Sequence, residues 1–130
     1  MNLAIISSDN APKAIGPYSQ AVRAGSLLFC SGQIALDPVT GAVISEDVRE
    51  QTVQVMKNIE AVLHTAGTEL SSVIKTTVFL VDINDFGVVN DVYGSFFGDH
   101  KPARSTVAVQ SLPRGVRVEI EVIASAGDIC

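Results

Sequence analysis

Residues 117–124 carry the most regular pattern in the chain, because apolar and polar side chains alternate there except at Ile123. Alternation of this kind predicts a β-strand with one face toward a core and the other away from it. The core face would carry the side chains of Val118, Ile120, Val122 and Ala124. The opposite face would carry Arg117, Glu119, Glu121 and Ile123. A strand of this kind requires a sheet with a packed layer on one side.

Two segments have the 3.6-residue period of amphipathic helices. The first covers residues 46–66, where Asp47 and Glu50 resemble a capping box and Gly67 is a natural C-terminal cap. The second covers roughly residues 85–97 and holds most of the aromatic side chains. We expect these aromatic residues to pack beneath a sheet.

The remaining predicted strands cover residues 3–7, 20–22, 27–34, 73–81 and 104–110. Strands mixed with two helices predict an α+β fold, a mixed β-sheet with two helices packed on one face. The length of 130 residues predicts a single domain over residues 1–130. Charged residues make up only 18%, below the average of about 25%, which favours a homo-oligomer that covers the other sheet face.

Charge and cysteine content exclude several classes of function. The net charge is −5 and the nine basic residues are scattered, which argues against general nucleic-acid binding. The cysteines, Cys30 and Cys130, have no metal-ligand or redox spacing. We expect Cys30 to be buried and Cys130, in a frayed tail, to be exposed and inert. No segment approaches the ~18 apolar residues of a membrane span, so we expect a soluble cytoplasmic protein.

Several polar residues are candidates for a site. Gly16 and Pro17 form a stiff lead-in to Tyr18. Ser31 and Gly32 lie within a predicted strand, where a glycine indicates either a bulge without a ligand or a close backbone approach. Asn90, on the second helix, could reach a pocket or face water. His64 is interpreted as a helix-end residue and not as a ligand or base.

Arg104 begins the strand that precedes residues 117–124 along the chain. If those two strands pair, the Arg104 guanidinium and a glutamate could face one pocket. An arginine matches a carboxylate in two-pronged fashion, and a neighbouring glutamate can deprotonate a water. This set suits a small carboxylic acid and the addition of water to an electrophilic carbon. The alternative is an Arg104–glutamate ion pair that only ties two strands together.

Six segments, in this order along nearly the whole chain, resemble the RidA/YjgF family of reactive-intermediate deaminases. They are Gly16–Ala21, Ser31–Gln33, Lys75–Val78, Asp85–Asn90, Pro102–Thr106 and Val118–Glu121. The resemblance implies a chorismate-mutase-like fold and a homotrimer with its sheets facing the trimer core and active sites between subunits. It implies hydrolysis of 2-imino acids such as 2-iminobutanoate and 2-iminopropanoate, or their enamines, to 2-oxo acids and ammonia, without cofactor or metal.

The resemblance also implies residue roles. Arg104 would hold the substrate carboxylate and Glu119 would position and activate the water, with Glu121 secondary. The substrate-binding residues would be Tyr18, Ser31, Gly32, Asn90 and Thr106, with Gly32 and Thr106 acting through their backbone. Many relatives have cysteine where this chain has Thr106, which closes a nucleophilic-cysteine mechanism. The segment Gly98–Lys101 is shorter than in some members, which bears on substrate preference.

Besides a chaperone-like role, on which the sequence has no bearing, two other functions stay open. One is a trimer that binds a small 2-oxo acid as a sensor without turnover. The other is an endoribonuclease, against which stand the acidic pI of about 4.8 and the lack of a basic groove or a histidine pair suited to RNA cleavage.

Overall fold

The computed structural model describes residues 2–127, which form six strands in one sheet and two α-helices. The strands are β1 (Leu3–Ile6), β2 (Ala21–Ala24), β3 (Leu27–Cys30), β4 (Val73–Leu80), β5 (Ala103–Ala108) and β6 (Val118–Ser125), and the helices are α1 (Val48–Thr65) and α2 (Phe86–Phe97). The sheet order is β1-β2-β3-β6-β4-β5. Only the β4–β5 pair of this sheet is parallel, so the predicted mixed sheet and α+β class are confirmed.

The strand β6 lies near the middle of the sheet and has the predicted alternation. Its four core-facing side chains are between 0% and 1% exposed. Both helices pack against this face, and their apolar stripes complete one core with Leu28 of β3 and with Val78 and Leu80 of β4. The two carboxylates of β6 lie on the opposite face, where Glu119 is half-buried and Glu121 is exposed.

The helix α1 begins two residues later and ends one residue earlier than predicted, and its cap differs in one respect. The Asp47 carboxylate accepts a hydrogen bond from the Glu50 N–H at 2.9 Å. The Glu50 carboxylate accepts instead from the Ser45 hydroxyl, at 2.8 Å, so the reciprocal bond of a capping box is absent here. The helix ends before Gly67, whose φ of +81° is readily adopted by glycine.

The helix α2 carries aromatic residues into the core, as predicted. Tyr93 and Phe97 are buried, and Phe86 and Phe96 are half-buried. The Tyr93 hydroxyl is hydrogen-bonded to the Thr76 hydroxyl of β4 at 2.7 Å. A buried tyrosine hydroxyl requires such a partner, and this one fixes α2 against the sheet.

Two predictions about the strands are wrong. The strand predicted over residues 27–34 ends at Cys30, and beyond it Gln33 forms only an isolated bridge to Ile120. The expected pairing of the strands that contain Arg104 and Glu119 is also absent, because β4 lies between β5 and β6. The helix α2 connects β4 to β5 as a crossover, and such a connection makes the two strands parallel neighbours.

The sheet face opposite the helices is uncovered in a single chain and carries several exposed apolar side chains beside its two carboxylates. Strand pairing places Leu3, Ile5, Phe29 and Val107 on this face, and their exposed fractions are 69%, 72%, 44% and 42%. An exposed face of this kind is typical of a surface that another protein covers. The sequence-based expectation of an oligomer therefore has a defined surface.

The predictions for the two cysteines and for membrane spans differ in how far the structure tests them. Cys30 is buried as expected, and burial raises the pKa of its thiol to about 12. The predictions for Cys130 and a frayed tail fall largely outside the described residues. None of the helices in residues 2–127 is long and apolar enough to cross a bilayer.

Candidate functional site

A cleft of about 600 Å³ contains four of the predicted site residues, Tyr18, Ser31, Gly32 and Glu119. We call it the Glu119 cleft. It lies at the end of β3, where the chain leaves the sheet and passes beside β6. These four residues, which the sequence predicts to share a site, therefore line one cleft within a single chain.

Gly32 lies directly against the Glu119 side chain. A Cβ atom placed at position 32 would lie 2.8 Å from Cδ of Glu119 and closer still to its Oε2 atom. Real Cβ atoms do not approach carboxylate groups this closely, so any other residue would push the carboxylate away. The sequence indicates either a bulge or a close approach to the backbone at Gly32. The structure shows a close approach, and the group that approaches is the Glu119 side chain.

The environment of Glu119 favours its protonated form. Burial raises the pKa of the Glu119 carboxyl above its ordinary value, and the negative charge of Glu121 raises it further. A carboxyl group with a raised pKa accepts a proton more readily than an exposed glutamate does. This is the property expected of a general base.

Tyr18 and Ser31 lie on two segments that are tied together. The Ser31 hydroxyl donates to the Ser19 carbonyl at 2.6 Å, and the Ser31 N–H donates to the Gln20 carbonyl at 2.9 Å. The Ser31 hydroxyl hydrogen is therefore already used, and toward the cleft it has only lone pairs to offer. Tyr18 is 54% exposed, so its ring is available to a ligand.

Gln20 is a residue of this region that the sequence-based analysis did not assign to the site. Its side chain is 3% exposed, accepts from the Ser8 N–H at 2.5 Å and donates to the Pro12 carbonyl at 2.8 Å. These bonds hold the loop that carries Tyr18. The signal in the sequence is only a glutamine beside an apolar strand, which does not by itself indicate burial.

Arg104 and Asn90 lie in a different cleft, of about 420 Å³, together with Tyr93 and His100. We call it the Arg104 cleft. The guanidinium Nη1 of Arg104 donates to Oδ1 of Asn90 at 2.7 Å. The alternative interpretation of Arg104, an ion pair with a glutamate of β6, is thus wrong in this structure. Asn90 reaches a pocket rather than facing water alone.

The sheet separates Arg104 from Glu119 within one chain. Arg104 pairs with Thr76, which pairs with Val122 on the helix-covered face. Glu119 pairs with Phe79 on the opposite face. Because paired residues share a face, the guanidinium and the carboxylate lie on opposite sides of the sheet. The hypothesis that they share a pocket within one chain is wrong.

Thr106 lies on the same face of the sheet as Arg104, because it pairs with Val78. Its hydroxyl oxygen is buried and has no hydrogen-bond partner among residues 2–127. A buried hydroxyl without a partner is uncommon. The structure thus places Thr106 two residues along the strand from Arg104 and away from the Glu119 cleft.

Residues 8–126 match the model of the family described as endoribonuclease L-PSP. The chain therefore belongs to this family, which is also known as the RidA/YjgF family.

Relatives and solved structures agree with this assignment. The chain is 53% identical to a RutC family protein of Pyrococcus horikoshii, over 92% of this chain and 95% of the relative. It is 48% identical to the 2-iminobutanoate/2-iminopropanoate deaminase of Mus musculus, over 95% and 91%. The structure of the Rid protein YyfA from Yersinia pestis superposes with a TM-score of 0.94 at 50% identity, covering 95% of this chain and 99% of that one.

We predict that replacing Gly32 with alanine displaces the Glu119 carboxylate, because the new Cβ would occupy the place of its oxygen. A crystal structure of Gly32→Ala would show a changed Glu119 rotamer or a shifted backbone at residues 31–33. Gly87→Ala is the matched control, since a Cβ at position 87 meets nothing within 4 Å. An unmoved Glu119 in Gly32→Ala would contradict the prediction.

We predict that Glu121→Gln lowers the pKa of Glu119, because it removes the like charge that helps to raise it. Burial is the larger cause, so the pKa should stay above the ordinary glutamate value. The acid limb of any rate that needs ionised Glu119 would then move to lower pH. Carboxyl ¹³C NMR titration of Glu119 measures the shift, and an unchanged or higher pKa would refute it.

Proposed function

We propose that this protein hydrolyses small reactive 2-imino acids, or their enamine tautomers, to 2-oxo acids and ammonia. Candidate substrates are 2-iminobutanoate and 2-iminopropanoate, which the name of the mouse relative specifies for that protein. The observation that carries the proposal is Glu119, a half-buried carboxylate with a raised pKa, held against Gly32 in an open cleft. This is the environment that a base for water activation needs.

We further propose that the active site forms between subunits of a homotrimer. The sheet keeps Arg104 and Glu119 of one chain on opposite faces, so a site with both groups needs two chains. The uncovered face, with its exposed Ile5, Phe29 and Val107 side chains, supplies a surface for the contact. Burial of this face would also remove the exposed apolar area that a monomer would leave in water.

In this site Arg104 would bind the substrate carboxylate. Its Nη1 atom donates to the neutral Asn90 amide oxygen, and its other N–H groups provide further donors. A guanidinium can bind both carboxylate oxygens at once, which fixes the direction of C2 as well as the affinity. Backbone groups at Gly32 and Thr106 would add contacts, and Tyr18 and the Ser31 oxygen would line the pocket.

The reaction would proceed through one addition and one elimination. Glu119 takes a proton from a water as the water oxygen bonds to C2 of the protonated imine, and the C=N π electrons move to nitrogen. This gives a neutral amino group on a tetrahedral aminol. Protonated Glu119 then gives its proton to that amino group. Ammonia leaves with the C–N electron pair as the hydroxyl oxygen forms the C=O bond, and the hydroxyl proton makes the product ammonium.

The protein needs to supply only a modest rate enhancement, because imines also hydrolyse in water alone. One positioned general base contributes about 10²–10⁴-fold. It uses protein groups and water and needs no cofactor. We place the role in the cytoplasm, as removal of imines that enzymes using pyridoxal phosphate release and that would otherwise damage other enzymes.

The family description also raises an endoribonuclease activity. The structure gives it little support, because the two histidines lie in different surroundings. His64 is exposed near the end of α1, whereas His100 is hydrogen-bonded to the Val73 carbonyl at 2.7 Å and packs near Phe97. With a net charge of −5, the chain is also poorly suited to bind a polyanion.

We predict that the protein suppresses semicarbazide trapping of 2-iminobutanoate generated in situ by an amino-acid dehydratase. Glu119→Gln should reduce this suppression about 10²–10⁴-fold with little loss of binding, because it removes the base and retains the shape. Arg104→Ala should weaken both turnover and binding, because it removes the carboxylate contact. Lys57→Ala, a change at an exposed position on α1, is the control.

Three other outcomes of this assay are informative. Wild-type turnover in both variants would refute the site assignment. Binding of 2-oxobutanoate without any suppression would replace the enzyme by a sensor of 2-oxo acids. Cleavage of RNA that is lost in neither variant would point to a separate ribonuclease site.

We predict that the Arg104→Ala and Glu119→Gln chains complement each other. Hybrid trimers, made by co-expression with two affinity tags and isolated by tandem purification, would contain about one intact site in three if each site uses two neighbouring chains. Each variant alone would lack intact sites. Hybrid trimers with no more activity than the separate variants would contradict a shared site.

A further inference from the structure

Three side chains from one face of α2 contact the guanidinium of Arg104. The Asn90 amide oxygen accepts a hydrogen bond from Nη1 at 2.7 Å. The Arg104 Cζ atom lies 4.9 Å from the Tyr93 ring centroid and 5.3 Å from the Phe86 ring centroid. These residues follow the spacing i, i+4, i+7, so a single helical face presents two aromatic rings and one amide to the cation.

The Tyr93 ring is itself firmly held. It is 6% exposed, its hydroxyl is hydrogen-bonded to the Thr76 hydroxyl at 2.7 Å, and its centroid is 4.6 Å from that of Phe97. Thr76 is the residue of β4 that pairs with Arg104 of β5. The buried hydrogen bond therefore joins α2 to β4, the strand beside the one that carries the arginine.

The contacts occupy particular parts of the guanidinium. Aromatic rings attract a cation through their faces, whereas hydrogen bonds use the N–H groups in the guanidinium plane. Asn90 accepts only one such bond, and Arg104 is exposed in the cleft. The arrangement restrains the cation and leaves N–H donors for a ligand.

We propose that Phe86, Asn90 and Tyr93 are positioning residues that orient the Arg104 guanidinium toward a small carboxylate. This inference rests on the proposed function, because it assigns the carboxylate to Arg104. An unrestrained arginine would lose more rotamer freedom on binding, so the orientation set by α2 lowers that cost. The effect belongs to binding and not to the chemical step.

The test compares KM and kcat for 2-iminobutanoate in single variants. Asn90→Ala should raise KM about two- to tenfold, the range for loss of one hydrogen bond. Phe86→Leu should raise KM about two- to fivefold, the range for one exposed cation–π contact. In both variants kcat should change by less than about twofold, because neither residue meets the reacting atoms. Phe86→Tyr, which keeps a ring, should restore the wild-type KM.

Two variants of Tyr93 distinguish the effect of its ring from the effect of its hydroxyl group. Tyr93→Phe keeps the ring over the cation and should keep the KM increase below about twofold, whereas Tyr93→Leu should raise KM as Phe86→Leu does. Because Tyr93 is buried, the KM of Tyr93→Leu counts only when that variant folds like the wild type. If it does not fold, the variants at exposed Asn90 and half-buried Phe86 decide the test. Asp91→Ala is the control, since Asp91 pairs with Arg49 at 2.9 Å and is adjacent to Asn90 in sequence.

A second measurement does not depend on turnover. In ¹⁵N NMR, the Arg104 side chain of the wild type should show restricted Nη rotation and ring-current shifts, both reduced in Asn90→Ala and Phe86→Leu. Unchanged spectra together with an unchanged KM would overturn the inference even if the protein is an active deaminase. Absence of wild-type deaminase activity, with these NMR differences present, would instead refute the proposed function and leave the restraint of Arg104 standing.

Discussion

The alternation of side chains across the sheet is the constraint on which the candidate site depends. Because β4 lies between β5 and β6, the register of three strands decides where Arg104 and Glu119 point. It places the guanidinium among the side chains of α2 and the carboxylate on the uncovered face. A shift of one residue in either pairing would move one of the two groups to the other face. The need for a second chain in the proposed site follows from this register alone.

The two clefts prepare their charged groups in opposite ways. Glu119 is half-buried beside a glycine and near a second carboxylate, and both surroundings disfavour its ionised form. Arg104 lies against aromatic rings and an amide, and these stabilise the cation without neutralising it. Imine hydrolysis would use both groups. Glu119 would serve as a base that accepts a proton readily, and Arg104 as a cation that remains free to bind an anion. The Glu119 cleft alone would lack the cation that binds a carboxylate, and the Arg104 cleft alone would lack a base.

Local patterns in the sequence predicted much of the fold. The alternation over residues 117–124, the 3.6-residue period of both helices and the cap at Gly67 depend on neighbouring residues and were confirmed, whereas only the Asp47 half of the capping box was. The pairing of strands could not be predicted in the same way. It depends on the path of α2, which places β5 beside β4, and on contacts between residues far apart in the chain. The low charge content predicted a face covered by another subunit, but the residues on that face could be identified only from the register of the strands.

The candidate site shows the same division at the level of single residues. The sequence indicates Gly32 because a glycine weakens a strand. The structure requires glycine there because the side chain of Glu119, 87 positions later, packs against it, and only the fold brings the two together. Arg104 was chosen by its residue type, and the partner expected for it was a glutamate.

The contrast among arginines shows why the observed partner matters. Arg117 has its charge balanced by two bonds to Asp85, and Arg49 by one to Asp91. Arg104 donates to a neutral amide, so its charge is not balanced by a carboxylate in the described part of the chain. An arginine fixed by neutral groups retains its attraction for an external anion, whereas one fixed by a carboxylate largely loses it. Arg23 and Arg114 also donate to neutral carbonyls, so Arg104 is distinguished by the combination of a neutral partner and two aromatic rings within a cleft.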